Sequence, residues 1–327
     1  MKMEDTIVKI GRRIYNRLYP NHRGQKNTDN YFGVPIASNQ EANQLLAKSI
    51  INSKPLMVTR LGHTELTCLR NYFEIQELKD AFYLKKVWNR IKGKSDVWDA
   101  HVSNAMHRYS GFFPSTPENL QKFCELYLNK MPNIDLMAVW FNYYEDMICH
   151  QYCTNASLIR LESIEPYYFE NPWSQYLAGK KVLVIHPFEQ SIKHQFAKRE
   201  LLFENKNILP HFELKTIKAV QTVAYNDTAF SDWFEALESM KNQMKQTDFD
   251  IALIGAGAYG LPLAAYAKEL GKQAIHFGGS LQILFGIKGA RWDDMPSINK
   301  FYNEHWIRPL KEETPEGFKK VEDGCYW

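Results

Sequence analysis

The stretch Phe249-Asp250-Ile251-Ala252-Leu253-Ile254-Gly255-Ala256-Gly257-Ala258-Tyr259-Gly260 constrains the fold of this chain more than any other. Its apolar run, opened by an acidic turn, predicts a parallel strand buried on both faces. The glycines predict a tight turn, and Leu261 to Leu270, closed by Gly271, predicts a helix. A second strand is expected over Gln273 to Phe277, ending on Gly278-Gly279-Ser280 before another helix start at Leu281. Two successive strand, glycine and helix junctions set backbone N–H groups and helix N-termini along one sheet edge, an arrangement suited to a diphosphate. Gly255, Gly257, Tyr259, Gly260, Gly278 and Gly279 are therefore candidate nucleotide contacts.

Gly255-x-Gly257-x-x-Gly260 matches the dinucleotide fingerprint both in its letters and in its place between strand and helix. The acid that would bind a ribose 2′-OH about twenty residues later is missing, because the next strand ends on His276, Phe277 and Gly278. That omission disfavours NAD or FAD. The competing reading is that the glycines only let helix and strand pack closely.

The same alternation runs upstream. Lys181-Val182-Leu183-Val184-Ile185-His186-Pro187 predicts a strand stopped by proline, Ser191 to Phe203 a helix, Phe212 to Val220 a strand, and Trp233 to Met244 a helix. Lys54 to Arg60 predicts an earlier strand, followed by a helix whose N-cap falls near Gly62 to Thr64, and Leu136 to Phe141 predicts another. The fold class is thus α/β, a Rossmann-like and mostly parallel sheet flanked by helices. An aromatic-rich, mostly helical segment from about 75 to 176 is inserted in a domain over 54–327, after a helical lead-in over 1–53 whose residues 21–39 are polar and turn-rich.

Composition narrows the partners. A formal charge of +3 is too mild for general nucleic-acid binding, so none is expected, and no apolar run reaches the roughly 20 residues of a membrane span. Five cysteines at irregular spacing read as reduced thiols of a cytoplasmic protein. Cys149 and Cys153, with His150 between them, lack the second ligand pair that zinc would need. The basic segment Ile7 to Leu18 has apolar residues at helical spacing. It is read as a short helix docking on the body, with peripheral contact to an anionic membrane face as the alternative.

Arg60-Leu61-Gly62-His63-Thr64-Glu65 sets a cation, a glycine, an imidazole and a carboxylate at the carboxyl end of a strand, where open α/β sheets bind ligands. His63 and Glu65 could share a divalent cation while Arg60 pairs a phosphate. Alternatively, Glu65 is a first-turn carboxylate favoured by the helix dipole. This Arg-x-Gly-x-x-Glu turn, taken with the late strand, glycine turn, Ala-rich helix, strand and Gly-Gly, resembles the bacterial GT-D-type glycosyltransferases. The resemblance spans roughly 55–292 in the order of elements. It implies a Rossmann-like enzyme with a UDP-sugar donor and an Asp-x-Glu motif that binds Mn²⁺ or Mg²⁺. Glu65 matches the motif's Glu, whereas His63 stands where the family has Asp, so the pair brings one negative charge less to a metal.

Further candidates sit at other strand ends. His186 and Ser191 could serve the donor pocket or form an ordinary strand-to-helix turn. Arg291, beside Trp292, offers a cation and an aromatic plane. Inverting transfer needs a carboxylate base, for which Glu145 and Asp146 are the candidates; Glu65 is a further catalytic candidate, holding the metal or a donor hydroxyl. The expected function is transfer of a sugar from a nucleoside-diphosphate donor to a glycan or lipid-linked acceptor in the cytoplasm or at the inner membrane face. A nucleotide-binding protein without transfer activity and an NAD-linked oxidoreductase are the alternatives.

Overall fold

The structure, a computed structural model, describes residues 2–18, 28–223, 226 and 228–327. Among them are nine strands: β1 (Asn30–Tyr31), β2 (Val34–Ala37), β3 (Leu56–Arg60), β4 (Leu136–Val139), β5 (Ser157–Arg160), β6 (Lys181–His186), β7 (Glu213–Lys218), β8 (Ile251–Ile254) and β9 (Gln273–His276). They form one sheet in the order β1-β2-β5-β4-β3-β9-β8-β6-β7, parallel throughout except for the β1/β2 pair. The central strands read as unbroken apolar runs because both of their faces are covered. Every residue of β4, β8 and β9 is buried. In register, Ile185 pairs with Ile254 and Ile254 with His276, so the carboxyl ends of β6, β8 and β9 lie level along one edge.

Two cores sandwich the sheet. One packs the helices His63–Leu78, Pro117–Lys130, Trp233–Gln246 and Gly260–Glu269 around Phe112, Phe123, Trp233 and Tyr259. The other packs Asn39–Ile51, Glu189–Phe196 and Leu281–Leu284 around Trp173, Phe188 and Phe277. The connection after β3 and that after β9 leave the sheet on opposite faces, and so do those after β8 and β6. At β8 and β6 this follows from right-handed crossovers that run in opposite directions, to β9 and to β7, whereas β9 is the last strand and its connection leads into the C-terminal segment. Each divergence opens a crevice at the carboxyl edge.

Three strands were not expected from the sequence. Of the polar lead-in assigned to 21–39, residues 21–27 lie outside the described residues, while β1 and β2 occupy part of the remainder. β2 pairs with β5, so residues 34–37 belong to the sheet. β5 itself crosses the segment read as a helical insertion. These strands span two to four residues, too short for periodicity to register, and Pro35 inside β2 speaks against a strand. The helix expected over 191–203 ends at Phe196 and gives way to a 3₁₀ turn, Arg199–Leu201. No helix among the described residues is long and apolar enough to cross a membrane.

Leu253, fully buried in β8 between the two layers, sets a test of this arrangement. Leu253→Ala should cost about 2 to 5 kcal/mol in chemical denaturation. An unchanged midpoint would contradict the burial.

Candidate functional site

Two adjacent crevices open where the connections diverge. The one between β3 and β9, of about 240 Å³, is lined by Arg60, His63, Glu65, Trp140, Glu165 and Gly278, among others. The one between β8 and β6, of about 100 Å³, is lined by His186, Phe188, Gln221, Thr222, Gly255 and Tyr259, among others. Gly257, Gly279 and Tyr326 form part of both walls. Arg60 and Glu65 therefore share a cavity with Gly257 and Gly278, although roughly two hundred residues separate the two blocks in the chain.

Arg60 ends β3 with its guanidinium over the Trp140 ring, 4.6 Å from the centroid. The Trp140 indole N–H donates to the Leu61 carbonyl at 2.8 Å, which fixes that ring. Arg60 Nη2 donates to the same carbonyl at 3.3 Å, while the buried Nε has no partner. Among the described residues Arg60 forms no ion pair. Arg60 is half-buried, and an anionic ligand in the cavity would give its guanidinium a direct ion-pair partner. Gly278, at φ +73°, brings its backbone against this group: a Cβ there would stand 2.7 Å from Arg60 Nη1.

Glu65, in the first turn of its helix, is 7% exposed and folds back over Gly62. A Cβ on Gly62 would lie 1.7 Å from Glu65 Oε2, so glycine is required there. His63 is exposed, and its Nδ1 is 3.3 Å from Asn142 Oδ1. Among the described residues no group of three or more His, Cys, Asp or Glu side chains is gathered to hold a metal. His63 and Glu65 are the two protein donors at this edge, and a divalent cation held by them would take its remaining ligands from water and the donor phosphates.

The fingerprint glycines do something the sequence did not reveal. A Cβ on Gly255 would lie 2.5 Å from the His186 ring, and one on Gly260 would lie 2.1 Å from His276 Nε2. Gly255 and Gly260 thus make room for two imidazoles, whereas Gly257, at φ +52°, supplies the left-handed turn. His186 Nδ1 accepts the Phe188 amide at 3.0 Å, and His276 Nδ1 is 3.0 Å from Thr59 Oγ1. Burial pushes both imidazoles down to about 3, helped at His276 by the Arg60 charge, so both stay neutral.

Besides Gly260, which packs against His276, three candidates lie outside both crevices. Glu145 is fully buried, and its Oε2 accepts from Tyr31 Oη (2.9 Å) and from the backbone amides of Trp140 (3.0 Å) and Phe141 (2.9 Å). It holds the loop after β4, in which Phe141 and Tyr144 have positive φ, and is not placed to act as a base. Asp146 accepts the Met147 amide and lines neither crevice. Ser191 is fully buried and donates to Glu313 at 2.5 Å, so it anchors the C-terminal segment instead of binding a donor. Arg291 does line the β3/β9 crevice, paired with Glu322 and stacked 4.9 Å from the Tyr326 ring.

Glu165 escaped the sequence reading, because its significance depends on β5, a strand too short to recognise. It follows that strand, faces the crevice and lies beside Ser280 and Tyr167. Burial pushes its carboxyl up to about 7, against the opposing pull of the Ser280 and Tyr167 hydroxyls and the Arg60 charge. Tyr326 and Glu322, from the last turns of the chain, were likewise unforeseen, since contacts across more than 250 residues leave no local pattern.

Burial raises Glu145 to about 7 as well, against the hydrogen bonds it accepts. A carboxyl raised on folding stabilises the fold below its unfolded value and loses that contribution as pH climbs through the folded value. Relative to the wild type, Glu145→Gln should therefore gain stability between pH 4.5 and 7, by a few kcal/mol at most. A difference that stays flat across that range in urea titrations would contradict the assignment.

Comparison with known proteins follows the fold. Residues 136–284 match the family model of the GT-D fold-like domain, from β4 through β9 and the Gly278 turn, stopping short of the Arg60 to Glu65 block. A solved structure described as a selenomethionine-substituted domain of unknown function 1792 is similar at 14% identity and a TM-score of 0.38, covering 85% of this chain and 92% of that one. No curated protein matches. Residues 136–284 are thus similar to the GT-D fold-like domain, the family that the sequence resembles.

Proposed function

We propose that the protein is a glycosyltransferase that moves a sugar from a nucleoside-diphosphate donor, most simply a UDP-sugar, to the hydroxyl of a glycan or lipid-linked acceptor. The observation that carries this reading is Arg60, a cation held on Trp140 without an ion-pair partner among the described residues, facing the Gly278 turn in a cavity that Glu65 and Glu165 also line. Arg60 binds the diphosphate and compensates the charge that grows on it as it leaves. Glu65, aimed into the same cavity from the first helical turn, binds a donor hydroxyl. No step is assigned to a metal.

Glu165 is the base. The acceptor oxygen attacks the anomeric carbon, the bond from that carbon to the diphosphate breaks with its electron pair on the phosphate oxygen, and the acceptor proton passes to the Glu165 carboxylate. A carboxyl near 7 suits a base working near neutral pH. This geometry favours inversion. An NAD-linked reaction is supported less well, because the end of β9 carries a neutral His276 and no acid for the adenosine ribose.

Calorimetry should show UDP binding more tightly than NAD⁺, and Arg60→Ala should weaken UDP about tenfold or more. Tighter NAD⁺, or an indifferent Arg60→Ala, would overturn the donor assignment. Turnover should rise as pH passes 7 and Glu165 loses its proton. Glu165→Gln should lower kcat about a hundredfold or more, with UDP affinity intact. Unimpaired turnover in that variant would remove Glu165 from the chemistry, and UDP binding with no transfer to any acceptor would favour a nucleotide-binding protein without transfer activity.

A further inference from the structure

The helices Lys2–Leu18 and Tyr83–Ile91 pack side by side on the flank of the domain. Gly11 meets Ile91, Arg12 Nη2 donates to the Arg90 carbonyl at 2.6 Å, and Tyr15 sits edge-on to Trp88 with centroids 6.5 Å apart. This accounts for one stripe of the first helix, the docking expected from the sequence. A second stripe points away from the body. Ile10 (53%), Ile14 (56%) and Leu18 (66%) recur every four residues and are exposed, and Leu84 (71%) and Trp88 (52%) extend the same kind of surface on the second helix.

Charge accompanies the apolar rows. Residues 2–18 and 82–92 carry nine Lys and Arg against two acids, a net of +7 in a chain whose total is +3, so the rest of the molecule is net negative. Lys92 Nζ lies 5.1 Å from the Trp88 ring centroid. Exposed isoleucines bordered by basic residues and an indole beside an ammonium fit the boundary of an anionic bilayer: the apolar chains enter the acyl region while the cations meet lipid phosphates. A second copy of this chain would bring two like-charged faces together, so charge favours lipid over self-association.

We propose that this two-helix face docks the protein on an anionic membrane surface. Two helices offer more buried area and more charge than the short first helix alone, which by itself would bind only marginally. The face lies beside the catalytic edge. Arg12, Tyr15 and Lys92 line a cavity with Tyr143 and Tyr144, and the neighbouring Asn142 reaches His63. On the glycosyltransferase reading, docking here sets the β3/β9 crevice next to the bilayer and favours a lipid-linked acceptor over a free glycan.

The test is sedimentation of the full-length protein with vesicles of phosphatidylcholine alone or mixed with phosphatidylglycerol, at low and high salt. The protein should pellet with the anionic vesicles only, and binding should fall about tenfold or more in high salt. Ile10→Glu with Ile14→Glu, and separately Lys85→Glu with Lys86→Glu, should each weaken it by at least about tenfold. All four positions are exposed or at the margin of the fold, so circular dichroism and UDP binding should be unchanged. Absence of binding to anionic vesicles, isoleucine variants that bind like the wild type, or a stable dimer in sedimentation velocity that these substitutions dissociate would overturn the proposal. Vesicle binding without UDP binding would leave the docking face standing and remove only its link to transfer.

Discussion

The site depends on the directions in which the chain leaves its sheet. β3 sends its connection to one face and β9 to the other, so no helix covers the carboxyl edge between them, and the Arg60 side chain is left facing a cavity. At β3 the face is set by the handedness of the crossover to β4, while β9, the last strand, sends the C-terminal segment over the other face. The same rule opens the neighbouring crevice between β8 and β6. Gly257, Gly279 and Tyr326 stand between the two, giving two adjoining spaces separated by little more than a glycine turn.

Electrostatics sort the groups around that edge by what they face. His186 and His276 are buried against glycines and held neutral, so they shape the walls without adding charge. Glu165 feels the same burial but faces the cavity, and its carboxyl is poised near neutrality. Glu145, with a similar upward shift, has its Oε2 taken up by a phenol and two backbone amides. Two carboxyls with similar titration thus have different surroundings, one open to a cavity and the other closed by its hydrogen bonds.

Much of the architecture was legible because buried parallel strands announce themselves as apolar runs: β3, β4, β6, β7, β8 and β9 fall where the runs predict them. β1, β2 and β5 were hidden by their shortness and by Pro35. The placement of Arg60, Glu65 and the glycine turns on one edge could be inferred, since all follow parallel strands. Which carboxylate faces the crevice could not. Glu145 follows an apolar run just as Glu165 follows β5, and only the positive-φ loop at Phe141 and Tyr144 turns the first inward. The glycine pattern was legible as a turn, but two of its three glycines admit imidazoles from neighbouring strands, a contact without any local signal.

The central claim is that the crevice between β3 and β9 takes the donor diphosphate through the free guanidinium edge of Arg60. A crystal structure of the protein with UDP tests it directly. The account predicts diphosphate oxygens at about 2.7 to 2.9 Å from the Arg60 nitrogens, against the Gly278 turn. A diphosphate seated in the β8/β6 crevice beside Gln221 and Thr222, with Arg60 untouched, would contradict it.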